Sequence, residues 1–357
     1  MSQKRMNDLR AAMKAANLDG LLVTHMDFVR YLTGFTGSAG LLALLPNSAD
    51  FLTDSRYAVQ ASQQVKGAKV TIHTGGLLDS LKTLKSVAGR NKRLGFAGEY
   101  LTVTNRERIA KSLPEALLIP ADYLFAELGW VKDSDEIANI KKACAISDTV
   151  FSRILPLIRP GIGENELAAE MEYQMVMLGS DKPAFETIVA SGPRSAMPHG
   201  VASRRKVKNN EFITFDFGAT VGGYVSDMTR TVVVGKASQK HKTIYSTVLK
   251  SQLAGVRKVK AGVMARDVDK ACRDIIDKSG YGKTFGHGTG HGIGYYIHVG
   301  PRLGSTSPDK LKPGNVVTIE PGIYVAGFGG VRIEDDVLVT TGGGIVLNRA
   351  EKKLLEL

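Results

Sequence analysis

The second half of this 357-residue chain carries five groups able to bind a cation, in the order Asp216, Asp227, His291, Glu320 and Glu334. Each lies in a segment that reads as strand or as glycine-rich turn. Four carboxylates and one imidazole can hold two divalent cations. Buried together without cations, the same carboxylates would repel one another and be costly to keep ionised. The chain must therefore either leave them in water or gather them around metal.

The local patterns favour gathering. In EFITFDFG, Ile213, Phe215 and Phe217 alternate with Phe212, Thr214 and Asp216, so a period-2 strand puts Asp216 opposite the Ile/Phe row and toward a pocket. Gly222-Gly223 reads as a turn, and YVSDMTRTVVV has the β-branched density of a return strand carrying Asp227. A hairpin then sets the two carboxylates on neighbouring strands. GHGTGHGIGYYIH is glycine-rich and holds His287, His291 and His298, and the missing side chains let backbone and imidazoles crowd a small site. Glu320 ends the apolar run VVTIE immediately before Pro321-Gly322, which stop the strand and leave the carboxylate at its mouth. In GVRIEDDVLV, alternation places Arg332, Glu334 and Asp336 on one face and Val331, Ile333 and Val337 on the other. Of the seven histidines, His199, His287, His291 and His298 fall in or near these segments.

MPHG around His199, FDFGATVGGYVSDMTRT, GHGTGHGIG, IEPGIY and VRIEDDVLVT resemble, in order and wording, the pita-bread metallopeptidases, in particular aminopeptidase P and prolidase, which cut the bond before proline. MDFVRYLTGFTGSAG and FLTDSRYAVQA resemble the creatinase/prolidase amino-terminal domain, so the likeness covers nearly the whole chain. It implies an α+β protein: an α/β amino-terminal domain over residues 1–124, a linker over 125–133 and a pita-bread catalytic domain over 134–357. It further implies that Asp227 and Glu334 bridge two divalent ions, that Asp216 completes one, and that His291 with Glu320 completes the other. Hydrolysis would then use a metal-bridging hydroxide, with Glu320 handling its proton. His199 and His298 would flank the cleft as catalytic groups, His287 would line the proline side, and Arg332 would orient a neighbouring ligand. An oxygen-dominated donor set with one imidazole and no thiolate favours Mn²⁺, Co²⁺ or Fe²⁺, with Zn²⁺ an alternative. One departure stands out: where the family commonly has an acidic residue after His298, this chain has Val299.

Periodicity alone gives only α+β. The amino-terminal part reads as a helix, strands LLVTH and LLALLP, then helix and strand alternating through VTIHT, LLDSLKTLKSV, RLGFAG and TNRERIAKSL. Farther on, a helix opening at Ser134 as its cap stops at Arg159-Pro160-Gly161, and others span 164–178, 239–260 and 266–278. The start has no apolar signal core and no run reaches the ~18 residues of a membrane span, so the expectation is a cytoplasmic protein with no membrane association. Cys144 and Cys272 have no metal-knuckle or redox spacing and read as reduced core residues. The net charge of +12 invites a nucleic-acid reading, but the basic residues are scattered apart from SRRKVK, and no nucleic-acid partner is expected.

The expected partners are peptides with proline at the second position and a second copy of the chain. Between the two activities, the length and the SGPRSAMPHG wording favour Xaa-Pro aminopeptidase, with Xaa-Pro dipeptidase as the alternative. A dipeptidase needs a cation for the carboxylate that follows proline, and Arg194 and Arg332 are the sequence candidates. A metal-free creatine hydrolase or a catalytically silent binding scaffold on the same fold would have no use for the five ligands.

Overall fold

The computed structural model describes residues 2–357. The chain divides into two compact units, one ending at Leu128 and the other spanning Gly129–Leu357.

The first unit follows a helix, Ser2–Ala15, with six strands: β1 Gly20–Val23, β2 Leu41–Leu44, β3 Ala49–Asp54, β4 Lys69–His73, β5 Arg93–Phe96 and β6 Leu117–Pro120. They form one sheet in the order β4-β3-β2-β1-β5-β6. GLLV and LLAL are buried at every position, as central strands covered on both faces must be, whereas the edge strand β4 is half open. The helix expected over LLDSLKTLKSV is instead a 3₁₀ turn, Asp79–Thr83. Its apolar residues recur every third position, and Leu78, Leu81, Leu84 and Val87 are all buried. That is the period of the tighter helix rather than of 3.6 residues per turn.

The second unit contains four long helices, Ser134–Ile154, Glu164–Met177, Gln239–Lys258 and Ala265–Lys278. The first is capped by Asp133, not Ser134: its carboxylate accepts from the N–H groups of Asp135 and Glu136, and Glu136 accepts in return from the N–H of Asp133 at 2.8 Å. The strands are β7 Ile188–Ser191, β8 Glu211–Phe217, β9 Thr220–Val221, β10 Tyr224–Val225, β11 Met228–Val234, β12 Gly290–Gly292, β13 Val299–Leu303, β14 Val316–Ile319, β15 Gly322–Val325, β16 Gly329–Arg332, β17 Asp335–Val339 and β18 Gly344–Val346. They build one sheet β11-β8-β7, a second β13-β12-β14-β17-β18, and the hairpins β9/β10 and β15/β16.

Strand β8 is buried on both faces. Ile213, Phe215 and Phe217 pack with Phe151, Leu167 and Met171 of the first two helices, and Phe212 packs with Ile244 and Val248 of the third. The second sheet is covered by the third and fourth helices through Val256, Val268 and Cys272 against Val317, Ile319 and Val337. Two expected strands prove discontinuous. YVSDMTRTVVV breaks at Ser226-Asp227 between β10 and β11, and GVRIEDDVLV breaks at Ile333-Glu334 between β16 and β17. Both breaks fall at expected bridging ligands. Beyond β18 the chain runs back to β11, where the N–H of Val233 donates to Leu355 O and the N–H of Leu357 to Val233 O.

Candidate metal centre

The register explains how strands deliver the expected ligands. Asp216 sits opposite Thr229 in the β8/β11 pair, and Asp227 lies one residue before that pair begins. In the other sheet, Ile319 opposite Asp335 is the last pairing of β14 and β17, so Glu320 and Glu334 emerge at its open end. A hydrogen bond from the N–H of Glu334 to Thr229 O at 3.1 Å joins the two sheets. His291 is held in β12, with its N–H donating to Thr318 Oγ1 at 3.1 Å.

These elements surround a cavity of about 1120 Å³. Asp216, Asp227, His291, Glu320, Glu334, His199, His287, His298 and Arg332 all line it. Ligand atoms of Asp227, His291 and Glu334 lie within 4.8 Å of one another. His291 Nε2 is 3.5 Å from Asp227 Oδ2 and 3.4 Å from Glu320 Oε1. Its Nδ1 faces Gly292 O at 3.1 Å, and because a carbonyl only accepts, Nδ1 carries the proton. The lone pair is thereby left on Nε2, toward the carboxylates.

The donor set fits a divalent centre. Asp216 Oδ1 and Glu334 Oε1 are buried and have no hydrogen-bond partner. Burial, then the charges of Glu334 and Asp216, pushes the Asp227 carboxyl well above the usual carboxylate range. Burial, then Glu320 and Asp216, does the same to Glu334, and burial raises Glu320 against the pull of His287 and Arg332. Orphaned oxygens on carboxylates that resist ionisation next to one another are what cation ligands look like without cations.

Arg332 does more than brush an expected ligand. Its Nη2 donates to Asp216 Oδ2 at 2.5 Å, Nε to Thr229 Oγ1 at 3.0 Å, and Nη1 to the Tyr324 hydroxyl at 2.9 Å. Thr229 in turn donates to Glu334 Oε2 at 2.6 Å. Tyr324 was not singled out in the sequence although it ends the IEPGIY motif. Buried, with its hydroxyl pushed up to about 12, it stays protonated and donates to His287 Nε2 at 2.9 Å. Asp336, also unassigned a role, is pushed up to about 8 by burial and accepts from the N–H of Asp227 at 2.9 Å.

Each wall has its own brace. Glu164 at the start of the second helix accepts from the N–H and hydroxyl groups of both Ser191 and Ser203 and pairs with Arg194. It fixes the loop that presents His199. Asp269 in the fourth helix accepts from Thr289 N–H and Oγ1, each at 3.0 Å, and pairs with Arg273, which donates to His287 O. That fixes the glycine-rich loop. His298 stacks edge-on against His291 with ring centroids 4.4 Å apart, and burial lowers its basicity so that it is neutral near pH 7. Beyond His298, Gly300 lies against the indole of Trp130, so close that a methyl group on Gly300 would sit 1.9 Å from Cζ2.

Neither sequence candidate for a substrate-carboxylate receptor is available. Arg194 is committed to Glu164 and to Val201 O and does not line the cavity, while Arg332 is enclosed among Asp216, Thr229 and Tyr324. The other cations that line it are Arg302 and Lys283, both exposed, and among the described residues no carboxylate pairs with either side chain. No helix of the described residues is long and apolar enough to cross a membrane.

Comparison with known proteins agrees with this arrangement. Residues 138–341 match metallopeptidase family M24, and residues 5–128 match the creatinase/prolidase N-terminal domain. A structure described as a Xaa-Pro dipeptidase from Bacillus anthracis is 43% identical, with a TM-score of 0.96 and 100% of both chains covered. A Xaa-Pro dipeptidase of Pyrococcus horikoshii is 34% identical over 96% of each chain. A structure of an X-Pro aminopeptidase from Thermotoga maritima is 36% identical, with a TM-score of 0.89 and coverage of 96% of this chain and 98% of that one. The chain belongs to metallopeptidase family M24, a metal-dependent peptidase with a creatinase/prolidase N-terminal domain ahead of its pita-bread catalytic unit.

Proposed function

We propose that this metallopeptidase is a Xaa-Pro dipeptidase, rather than the aminopeptidase favoured by the wording of its sequence. The observation that carries the choice is Arg302, a guanidinium on the cavity wall with no carboxylate partner of its own among the described residues. A dipeptide ends in a carboxylate directly after proline, and a charge-assisted bond to a guanidinium recognises that end. Relatives named as Xaa-Pro dipeptidases support the same choice.

In this reading Asp216, Asp227, His291, Glu320 and Glu334 hold two divalent ions, with Mn²⁺, Co²⁺ or Fe²⁺ matching the donor set. When bound, such ions polarise the scissile carbonyl and make water nucleophilic near neutral pH. Glu320 accepts the proton of the attacking water. His298, neutral and free to donate, stabilises the developing oxyanion, and His199 at the exposed side of the cavity passes a proton toward the proline nitrogen. His287, fixed by Tyr324, shapes the proline side. Arg332 holds Asp216 in its chelating orientation.

Turnover of Xaa-Pro dipeptides against matched Xaa-Pro-Yaa tripeptides tests the proposal. Dipeptides should be strongly preferred, and Arg302→Ala should raise KM for them roughly 10–100-fold, the scale of one hydrogen bond to a charged group, with kcat little changed. Tripeptides cleaved as fast as dipeptides, with Arg302→Ala indifferent to both, would return the assignment to an aminopeptidase.

A further inference from the structure

Arg230 heads the largest fully enclosed side chains of the protein, at 1% exposure, yet it does not line the cavity. All five of its N–H groups are used. Nη1 donates to Glu334 O at 2.5 Å and to Thr229 O at 2.9 Å, Nη2 to Asp335 Oδ1 at 2.8 Å and Ala350 O at 3.0 Å, and Nε to Glu351 O at 3.1 Å. Its countercharge Asp335 also accepts from Lys352 Nζ at 2.5 Å and Gln252 Nε2 at 2.8 Å.

Two features of this cluster point toward the metal centre. Glu334 sits where β16 and β17 are interrupted, so no strand partner fixes its carbonyl, and Arg230 supplies the missing donor. The cluster also sets two cations, Arg230 and Lys352, beside Asp335 and Asp148 behind a site made of carboxylates. Two of the five acceptors that hold Arg230, Ala350 O and Glu351 O, in turn come from the last residues of the chain. That tail is pinned by Asp148, which accepts from the N–H groups of Arg349 and Ala350 at 2.8 and 2.9 Å, and by Val233 at its end.

We propose that Arg230 is a positioning residue for Glu334 and that the tail, residues 349–357, holds it there, so that tail docking and metal affinity are coupled. This rests on the reading of Glu334 as a metal ligand. Coupling is reciprocal: if the docked tail strengthens metal binding, bound metal must strengthen tail docking by the same factor.

The test uses the full chain stripped with chelator and Mn²⁺ alone as probe, so activity is not the readout. Saturating Mn²⁺ should slow amide exchange across residues 349–357 at least tenfold more than across the helix Val103–Ser112. In calorimetry Arg230→Lys should weaken Mn²⁺ binding roughly 10–100-fold, the usual effect of removing a group that orients a ligand, with its helix content unchanged. Wild-type protein that binds Mn²⁺ with no added protection of the tail overturns the proposal, as does folded Arg230→Lys protein with wild-type affinity. Wild-type protein that binds no Mn²⁺ removes the metal reading itself and the proposal with it. Should Arg230→Lys fail to fold, the exchange measurement on wild type decides alone.

Discussion

Among the described residues up to Leu128 the polar residues that become buried are Thr33, Thr53 and Ser80, none of them charged, packed among leucines, valines and phenylalanines. From Gly129 onward the interior encloses Glu164, Asp216, Asp227, Arg230, Asp269, Arg332, Glu334, Asp335 and Asp336. Burial of charge is a poor way to stabilise a fold, because desolvation offsets most of the Coulomb gain. The first unit has the interior expected of a domain selected to fold. The second accepts a heavy desolvation cost: Asp216, Asp227, Arg332 and Glu334 line one cavity, Glu164, Arg230 and Asp269 hold the segments that line it, and Lys132, Glu136 and Glu211 are buried away from it.

The contrast breaks most visibly at the two proposed bridging positions. Asp227→Ala or Glu334→Ala should abolish peptide turnover and reduce bound metal, since each removes a ligand expected to serve both ions. Because the variant also removes a buried carboxylate that repels its neighbours, metal-free Asp227→Ala should melt no lower than metal-free wild type. Calorimetry with metal analysis reads both, and near-normal turnover in metal-replete Asp227→Ala would sink the dinuclear reading.

His298→Ala should keep its metal yet lose roughly 10²-fold in kcat, the scale of one oxyanion donor or proton-transfer group. Loss of the metal instead would make His298 a ligand and displace His291 from that role.

A smaller effect follows from pH. Asp227, Glu334 and Glu320 are raised in the folded protein, and Asp336 is pushed up to about 8. A carboxylate with a raised folded pKa contributes stability that is complete below its unfolded value and is lost as pH rises through the folded one. His287, His291 and His298 are lowered and act oppositely, but only as pH falls through about 6.5. Between pH 7 and 9 Lys132, which burial lowers to about 7, opposes the carboxylates, but equally with and without metal, so metal-free protein should lose melting temperature relative to Mn²⁺-loaded protein. Parallel pH profiles for the two forms would show that cations do not relieve the repulsion.

At the other end, Leu81→Ala in the first unit should cost about 2–5 kcal/mol of that unit's stability and leave Mn²⁺ affinity unchanged in the folded protein. A shift in metal affinity there would erase the division of labour between the units.

How much of this was legible in the sequence depended on range. Asp216 and Glu320 could be placed because a carboxylate in an alternating apolar run, or just ahead of Pro-Gly, is conspicuous within a few residues. That Asp227 and Glu334 sit at interruptions was not legible, since the interruptions are closed by Asp336 reaching the Asp227 backbone and by Thr229 and Arg230 reaching Glu334. Arg194 looked like a substrate receptor because its partner, Glu164, lies thirty residues upstream. Tyr324 and Thr229 were quoted inside motifs yet given no role, because a hydroxyl announces nothing until its neighbours are known. Arg302 was passed over for a related reason: its significance is the lack of a partner, which only coordinates reveal. In the first unit, the three-residue spacing of Leu78, Leu81, Leu84 and Val87 was visible but was absorbed into a looser helical pattern.

Trp130 is the only tryptophan in the chain, and its indole rests on Gly300, two residues from His298 in one direction and from Arg302 in the other. The protein thus carries its one indole fluorophore against the strand that joins the proposed oxyanion donor to the proposed carboxylate receptor. Excited at the red edge of protein absorption, where tyrosine contributes little, its emission reports the polarity and motion of that strand without any label. Substrate engagement at this wall can then be followed optically before a bond is cut, in stopped flow as readily as at equilibrium.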